Sequence, residues 1–172
     1  QGVVHRDLKP SNLFLTYRPD GTPWIRVLDF GIAKASRAGH TALTGSGEVL
    51  GTPHYIAPEQ FVSTRDVDHR ADIWSLGVTL FELLTAQRPF DGDTPTELFA
   101  AVLRDKPVLL SEVLPDAPPA LVALVHRCMQ REPRDRFEHV AELALALLPF
   151  APAQAEANAD SIRAIARSQG WD

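Results

Sequence analysis

The sequence is poor in cysteine, and it lacks both a long apolar run and an excess of positive charge. Cys128 is the only cysteine among 172 residues, which excludes an internal disulfide and a cysteine-based metal site. It belongs to an apolar run with helical spacing over residues 121–129, which favours a plain core thiol. No run of 18 apolar residues is present, so this segment should contain no membrane span. The net charge of −5 argues against nucleic acid as a partner. A cytoplasmic globular protein is expected, and membrane tethering of a longer protein stays open.

Two short apolar segments near the N-terminus predict a β-hairpin. They occupy positions 13–15 and 24–28, and the turn sequence R-P-D-G stands between them at positions 18–21. Proline presets φ in such a turn, and glycine supplies a positive φ. The two segments therefore most simply pair as antiparallel strands.

Polar residues suited to phosphoryl transfer stand at the ends of this hairpin. It would carry Asp7, Lys9 and Asn12 at one end and bring Asp29 back beside them. The amide and one carboxylate are hard oxygen ligands of the kind that Mg²⁺ binds. The other carboxylate can orient a hydroxyl and accept its proton, and the lysine can balance charge on the moving phosphoryl group.

Four motifs occur in the order of the protein kinase signature. H-R-D-L-K-P-S-N occupies positions 5–12, D-F-G positions 29–31, A-P-E positions 57–59 and D-I-W-S-L-G positions 72–77. With these motifs the sequence resembles the C-terminal lobe of a Hanks-type Ser/Thr protein kinase, of the bacterial type. The resemblance implies a mainly α fold, a protein-kinase-like C-lobe in which a small β-hairpin carries the catalytic loop and DFG.

The resemblance implies a boundary and a missing part. The C-lobe of the catalytic domain should span residues 1–148, and residues 149–172 should form a linker or tail. The Gly-rich loop, the strand lysine and its helix glutamate partner of a kinase N-lobe are not found upstream of the catalytic loop. The chain is therefore expected to be a truncated catalytic domain, with the N-lobe as a partner in the full-length protein.

The resemblance also assigns catalytic and cofactor-binding roles. Asp7 is expected to be the catalytic base, Lys9 to contact the transferred phosphate, and Asn12 and Asp29 to bind Mg²⁺. ATP and Mg²⁺ are the implied cofactors, and protein Ser and Thr hydroxyls are the implied substrates. Thr52 is expected to hydrogen-bond Asp7 and Lys9 and to favour those hydroxyls.

Other positions are expected to have structural or regulatory roles. Glu59 should pair with Arg136, and Asp72 should hold the backbone of the catalytic loop. The structural set is His5, Phe30, Gly31, Glu59, Asp72 and Arg136. Residues 32–56 should form an activation segment, and a phosphate added to it could pair with a nearby arginine. The regulatory set is Arg6, Thr41, Thr44 and Ser46.

The remainder of the chain is predicted to be helical. Residues 72–84 are apolar on all sides, which indicates a buried helix. A capping box at 94–97 predicts a helix to about residue 104. A loop is expected over 107–119, followed by helices at 119–130 and 137–148. His126 and His139 are expected on the surface, and Trp171 in a frayed tail.

Three functions stay open at this point. The first is an intact Ser/Thr kinase of which this chain is one lobe, inactive by itself. The second is a non-catalytic remnant or pseudokinase binding module. The third is a small-molecule phosphotransferase, which shares the H-x-D-x-x-x-x-N loop but would not be expected to carry residues 51–59 or the helix around Trp74.

Overall fold

The computed structural model describes residues 4–28, 53–62 and 67–171. In these ranges the chain forms one antiparallel hairpin followed by helices, with short 3-10 turns between them. The strands are β1 (Leu13–Tyr17) and β2 (Pro23–Val27). The helices are α1 (Pro58–Val62), α2 (Arg70–Thr85), α3 (Pro95–Arg104), α4 (Leu110–Val113), α5 (Pro119–Cys128), α6 (Val140–Leu147) and α7 (Glu156–Ser168).

The predicted hairpin is confirmed, with its turn where the sequence indicates it. Leu13 pairs with Val27 and Tyr17 with Pro23 across the two strands. The Gly21 amide donates to the Arg18 carbonyl at 2.9 Å, and Gly21 has a φ of +80°, which a residue with a side chain rarely adopts. The turn therefore returns the chain to the end of the sheet at which β1 begins.

Helix α2 is the centre of the core. Ile73, Trp74, Val78 and Phe81 are each at most 1% exposed. The prediction of a buried helix is confirmed for these turns. It is wrong for Leu83 in the last turn, which is 69% exposed because the described elements leave its side of the helix uncovered.

Helices α2 and α5 approach each other closely at a glycine. A Cβ placed on Gly77 would lie 2.5 Å from the Cβ of Cys128, so only glycine permits this spacing. Cys128 is fully buried, and burial raises the pKa of its thiol to about 12. The prediction of a core thiol is confirmed.

The predicted capping box opens α3. The Glu97 amide donates to the Thr94 hydroxyl at 3.2 Å, and the Glu97 carboxylate accepts from the Thr94 amide at 3.3 Å. Proline follows at the first helical position, where its missing N–H costs nothing. This prediction is also confirmed.

The predicted loop over residues 107–119 contains a helix, and this changes the interpretation of His126. The short helix α4 lies against α5, and the Leu110 amide donates to His126 Nε2 at 3.1 Å. Burial lowers the pKa of His126. The expectation of a plain surface histidine is therefore wrong, because the ring accepts a hydrogen bond at the start of α4.

The C-terminal residues pack back on the domain. Helix α7 lies against α6, and the Trp171 ring stacks on the His139 ring with centroids 4.9 Å apart. The Trp171 amide donates to the Ala166 carbonyl at 3.0 Å. The expectation of a frayed tail is wrong at Trp171, because the indole gains an aromatic contact.

Within the described ranges, no helix is both long enough and apolar enough to cross a bilayer.

Candidate active site

The loop before β1 is tied to the start of α2 by one carboxylate. The amides of His5 and Arg6 each donate to Asp72, at 2.8 Å to Oδ2 and at 2.8 Å to Oδ1. Burial raises the pKa of Asp72, while the two amide hydrogen bonds oppose that rise. Asp72 therefore fixes the backbone just before Asp7, as predicted for a residue that grips this loop.

The His5 ring links the loop to the end of the hairpin. His5 is only 5% exposed. Its Nδ1 accepts from the Asp7 amide at 3.3 Å, and its Nε2 lies 3.2 Å from the Leu28 carbonyl. Since Nδ1 accepts, the ring hydrogen lies on Nε2 and is donated to that carbonyl. The imidazole thus connects the loop before β1 with Leu28, the residue that precedes Asp29 in the sequence.

Asp7, Lys9 and Asn12 converge in the structure. Lys9 Nζ lies 3.2 Å from Asp7 Oδ2, and both side chains are 17% exposed. The side-chain nitrogen Nδ2 of Asn12 donates to the backbone carbonyl of Asp7 at 2.8 Å and to the Asp7 carboxylate oxygen Oδ2 at 3.4 Å. The result is a carboxylate oriented by an ammonium and an amide, in a half-buried position open to a ligand.

The backbone around Asn12 joins the loop to both strands. A short 3-10 turn runs over Pro10–Asn12, and the backbone amide of Asn12 donates to the Lys9 carbonyl at 2.9 Å. The Asn12 carbonyl accepts from the Leu28 amide at 2.9 Å. Asn12 is 6% exposed, so its side chain is held by packing as well as by hydrogen bonds.

The Asn12 side chain has the chemistry that a magnesium ligand needs. Its side-chain nitrogen donates hydrogen bonds to Asp7, and among the described residues its Oδ1 accepts no hydrogen bond. An amide oxygen in that state is a hard donor that can bind Mg²⁺. The part of the chain that the structure describes has no group of three His, Cys, Asp or Glu side chains suited to a metal.

Arg6 directly precedes Asp7 and has a strained backbone conformation. Its φ is +64°, in the left-handed region that non-glycine residues rarely adopt. Its amide is committed to Asp72, while its guanidinium has no hydrogen-bond or ion-pair partner among the described residues. A strained backbone conformation persists only when surrounding contacts hold it in place, and such residues are concentrated at functional sites.

Comparison with known proteins decides the family. The protein kinase domain matches residues 1–146. This chain belongs to the protein kinase domain family. The serine/threonine-protein kinase Pkn1 of Myxococcus xanthus is 44% identical over 148 residues, which are 86% of this chain and 21% of Pkn1. MasK of the same species, named a tyrosine-protein kinase, is 42% identical over 86% of this chain and 22% of its own length.

The kinase fold is also found among solved structures. The crystal structure of Rad53 in complex with AMP-PNP superposes with a TM-score of 0.60 at 24% identity, over 82% of this chain and 33% of that chain. This likeness supports the fold alone. The chain spans about a fifth of the length of the curated relatives that it matches.

The predicted pairing of Glu59 with Arg136 is present in the structure. Arg136 is 2% exposed and forms two parallel hydrogen bonds of 2.7 Å to the Glu59 carboxylate. Its remaining donors go to the carbonyls of Gln130, Arg70 and Arg131, at 2.7, 2.8 and 3.0 Å. All five N–H groups of a guanidinium are thereby used.

Several predicted site residues lie outside the described residues. They are Asp29, Phe30, Gly31, Thr41, Thr44, Ser46 and Thr52. Their roles stay predictions, as does the shared Mg²⁺ site of Asn12 and Asp29.

Sequence reasoning missed a contact that fastens residues 53–59 to α2. The Tyr55 hydroxyl donates to Glu82 in a short hydrogen bond, and the Ser75 hydroxyl donates to the Tyr55 carbonyl at 2.7 Å. Burial, together with the Glu82 carboxylate, raises the pKa of Tyr55 to about 12. A signal was available, because Glu82 is the only charged residue after Asp72 in an otherwise apolar helix.

Proposed function

We propose that this chain is the C-lobe of a Ser/Thr protein kinase catalytic domain that transfers the ATP γ-phosphate to protein hydroxyls. The observation that carries the proposal is the cluster of Asp7, Lys9 and Asn12 on a loop held by Asp72, in a member of the protein kinase family. We assign residues 1–148 to the lobe and 149–172 to a C-terminal segment. A cytoplasmic location, where ATP is available, is part of the proposal.

In this proposal Asp7 orients the substrate hydroxyl and accepts its proton. Lys9 and Asn12 hold the carboxylate in one orientation, so little reorganisation is needed when the substrate arrives. The Lys9 ammonium also lies where it can offset negative charge on the transferred group. Thr52 would hydrogen-bond Asp7 and Lys9 from the segment that follows the activation loop.

Asn12 and Asp29 would hold Mg²⁺ next to the ATP phosphates. When bound, this ion would offset the charge of the phosphate oxygens and fix their position. The free Oδ1 of Asn12 among the described residues supports its role as a ligand. The Rad53 structure was solved with AMP-PNP, and we propose an adenine nucleotide, ATP, for this chain as well.

Ser and Thr are the proposed acceptors, although one relative is named for tyrosine. Pkn1 is named a serine/threonine kinase and MasK a tyrosine kinase, at nearly equal identity to this chain. Pro10 directly after Lys9 is typical of Ser/Thr kinases, and it supports the former. Phosphoamino-acid analysis of a phosphorylated protein substrate distinguishes the two.

The exposed hairpin supports the assignment to one lobe of a larger unit. Phe14, Leu15, Tyr17 and Ile25 are between 51% and 68% exposed on this small sheet. By the strand register Leu15, Tyr17 and Ile25 lie on one face of the sheet and Phe14 on the other, and large apolar side chains exposed in this way often mark an interface. We propose that the N-lobe of the full-length protein covers it.

The 172-residue chain by itself should therefore show negligible kinase activity, while a longer product that includes the N-lobe should phosphorylate a generic protein substrate. The N-lobe motifs that would cover the adenine of ATP and contact its α- and β-phosphates through a lysine do not occur in these 172 residues. Radiolabelled phosphate transfer measures both proteins. Activity of the short chain that Asp7→Ala abolishes would contradict this division of the domain, and an inactive longer product would favour a non-catalytic binding module.

Loop phosphorylation is expected to act through Arg6. A phosphate on Thr41, Thr44 or Ser46 adds about −1.5 to −2 charge. The Arg6 guanidinium, unpaired among the described residues, can bind it and order the loop. Phosphopeptide mapping of the active full-length kinase should find one of these sites occupied, and Arg6→Gln should lower the gain in activity upon phosphorylation. A loop without phosphate in the active enzyme would refute the role.

A further inference from the structure

A pocket of about 430 Å³ lies at the junction of α5, α6 and α7, away from the catalytic loop. Arginine is the commonest residue of its lining, which also includes two glutamates, one histidine and one tryptophan. The residues used in the argument below are Arg70, Arg127, Arg134, Arg136, His139 and Trp171. Such a concentration of arginine is unusual in a chain of net charge −5 and indicates an anionic ligand.

Two of the four arginines already have their charge balanced. Arg136 is bound to Glu59, and Arg127 Nη1 lies 2.8 Å from Glu142 Oε1. The Glu142 carboxylate also accepts from the Glu138 amide at 2.8 Å. These contacts hold one wall of the pocket in place and leave those two guanidinium groups little capacity for a ligand.

The other two arginines have no partner for their side chains among the described residues. Arg70 donates through its backbone to Asp68, but its side-chain Nε is buried without a hydrogen bond in that part of the chain. Arg134 differs in that it is exposed, and it forms no ion pair with any described residue. The exposed Glu138 is the one unpaired acidic residue of the lining described here. Burial of an unsatisfied guanidinium donor is unfavourable unless a ligand satisfies it.

A third polar atom and an aromatic ring complete the pocket. His139 Nδ1 is buried and has no hydrogen-bond partner among the described residues. Its ring is held by stacking on Trp171, with an interplanar angle of 21°. The pocket therefore presents unsatisfied nitrogen atoms from separate elements beside a fixed aromatic surface.

We propose that this pocket binds a phosphate group, as a phosphorylated side chain of a protein segment or as a small phosphate compound. Two guanidinium groups from separate elements can share the oxygens of one phosphate dianion, each through charge-assisted hydrogen bonds. A carboxylate has one charge and two oxygens, and it fits this pair less well. The lining of this pocket contains none of the proposed catalytic residues, so phosphate binding here can be tested separately from the proposed kinase activity.

The test is calorimetric titration of the full-length protein with a phosphoserine peptide, its unphosphorylated counterpart and inorganic phosphate. The phosphopeptide should bind, and Arg70→Gln and Arg134→Gln should each weaken binding by about tenfold or more, as loss of a charge-assisted hydrogen bond does. Arg104→Gln, which removes one exposed positive charge outside the pocket, should leave the affinity unchanged. Asp7→Asn, in the proposed catalytic loop, should also leave it unchanged.

The arms of the titration separate the sources of the phosphate. Binding of the phosphopeptide with this arginine dependence assigns the site to phosphorylated protein segments. Binding of inorganic phosphate with the same dependence, without the peptide, assigns it to small phosphate compounds. Equal affinity for a peptide with glutamate in place of phosphoserine, or affinity that Arg70→Gln and Arg134→Gln leave unchanged, would overturn the proposal.

Discussion

Asp7→Asn in the full-length protein is expected to lower kinase turnover by about 10²–10⁴-fold, the usual loss when a general base is removed. The amide keeps the shape of the carboxylate and can still accept hydrogen bonds from Lys9 and Asn12. It cannot accept the proton of a substrate hydroxyl. Turnover should therefore fall far more than the affinity for ATP or substrate, and steady-state kinetics with each of them varied measures this.

Two controls make that result specific. Asp116→Asn removes an exposed carboxylate in the loop before α5 and should leave turnover unchanged. The midpoint of thermal unfolding of Asp7→Asn should stay close to that of the parent protein, since Asp72 and His5 still hold the loop. Turnover of Asp7→Asn within threefold of the parent would remove Asp7 from the role of base.

The parts of the fold that were predicted well from the sequence depend on local physical chemistry. The turn at Gly21 needs a positive φ that glycine supplies, and the start of α3 needs the reciprocal cap of Thr94 and Glu97. Both are determined by residues within four positions of each other. The carboxylate, amide and lysine of the catalytic loop are also local, which is why their convergence could be expected.

The parts that sequence reasoning missed depend on pairs far apart in the chain. His126 accepts from Leu110, and Trp171 stacks on His139, over separations of 16 and 32 positions. Periodicity places such residues on a helix face but does not say what lies opposite. Tertiary packing decides that, and the pocket of unpaired arginines results from the same long-range packing.

The Glu59–Arg136 pair carries the largest expected effect on stability. Arg136→Met should lower the free energy of unfolding by about 3–5 kcal/mol, because it leaves a largely buried carboxylate without its partner. The Arg136 side chain is fully buried and that of Glu59 is 19% exposed. Three backbone carbonyls would lose a donor as well. Urea unfolding of the full-length protein measures the change.

A matched exposed pair and a double variant test the cause. Arg163 Nη1 lies 3.1 Å from Asp160 Oδ1, with the arginine side chain 53% exposed, and Arg163→Gln should cost less than about 1 kcal/mol. Glu59→Leu combined with Arg136→Met removes both charges and should be less destabilising than the sum of the two single variants. If the costs of the two single variants simply added, the destabilisation would come from lost packing around Trp74 rather than from an unpaired buried charge, because removing the second charge would then bring no relief.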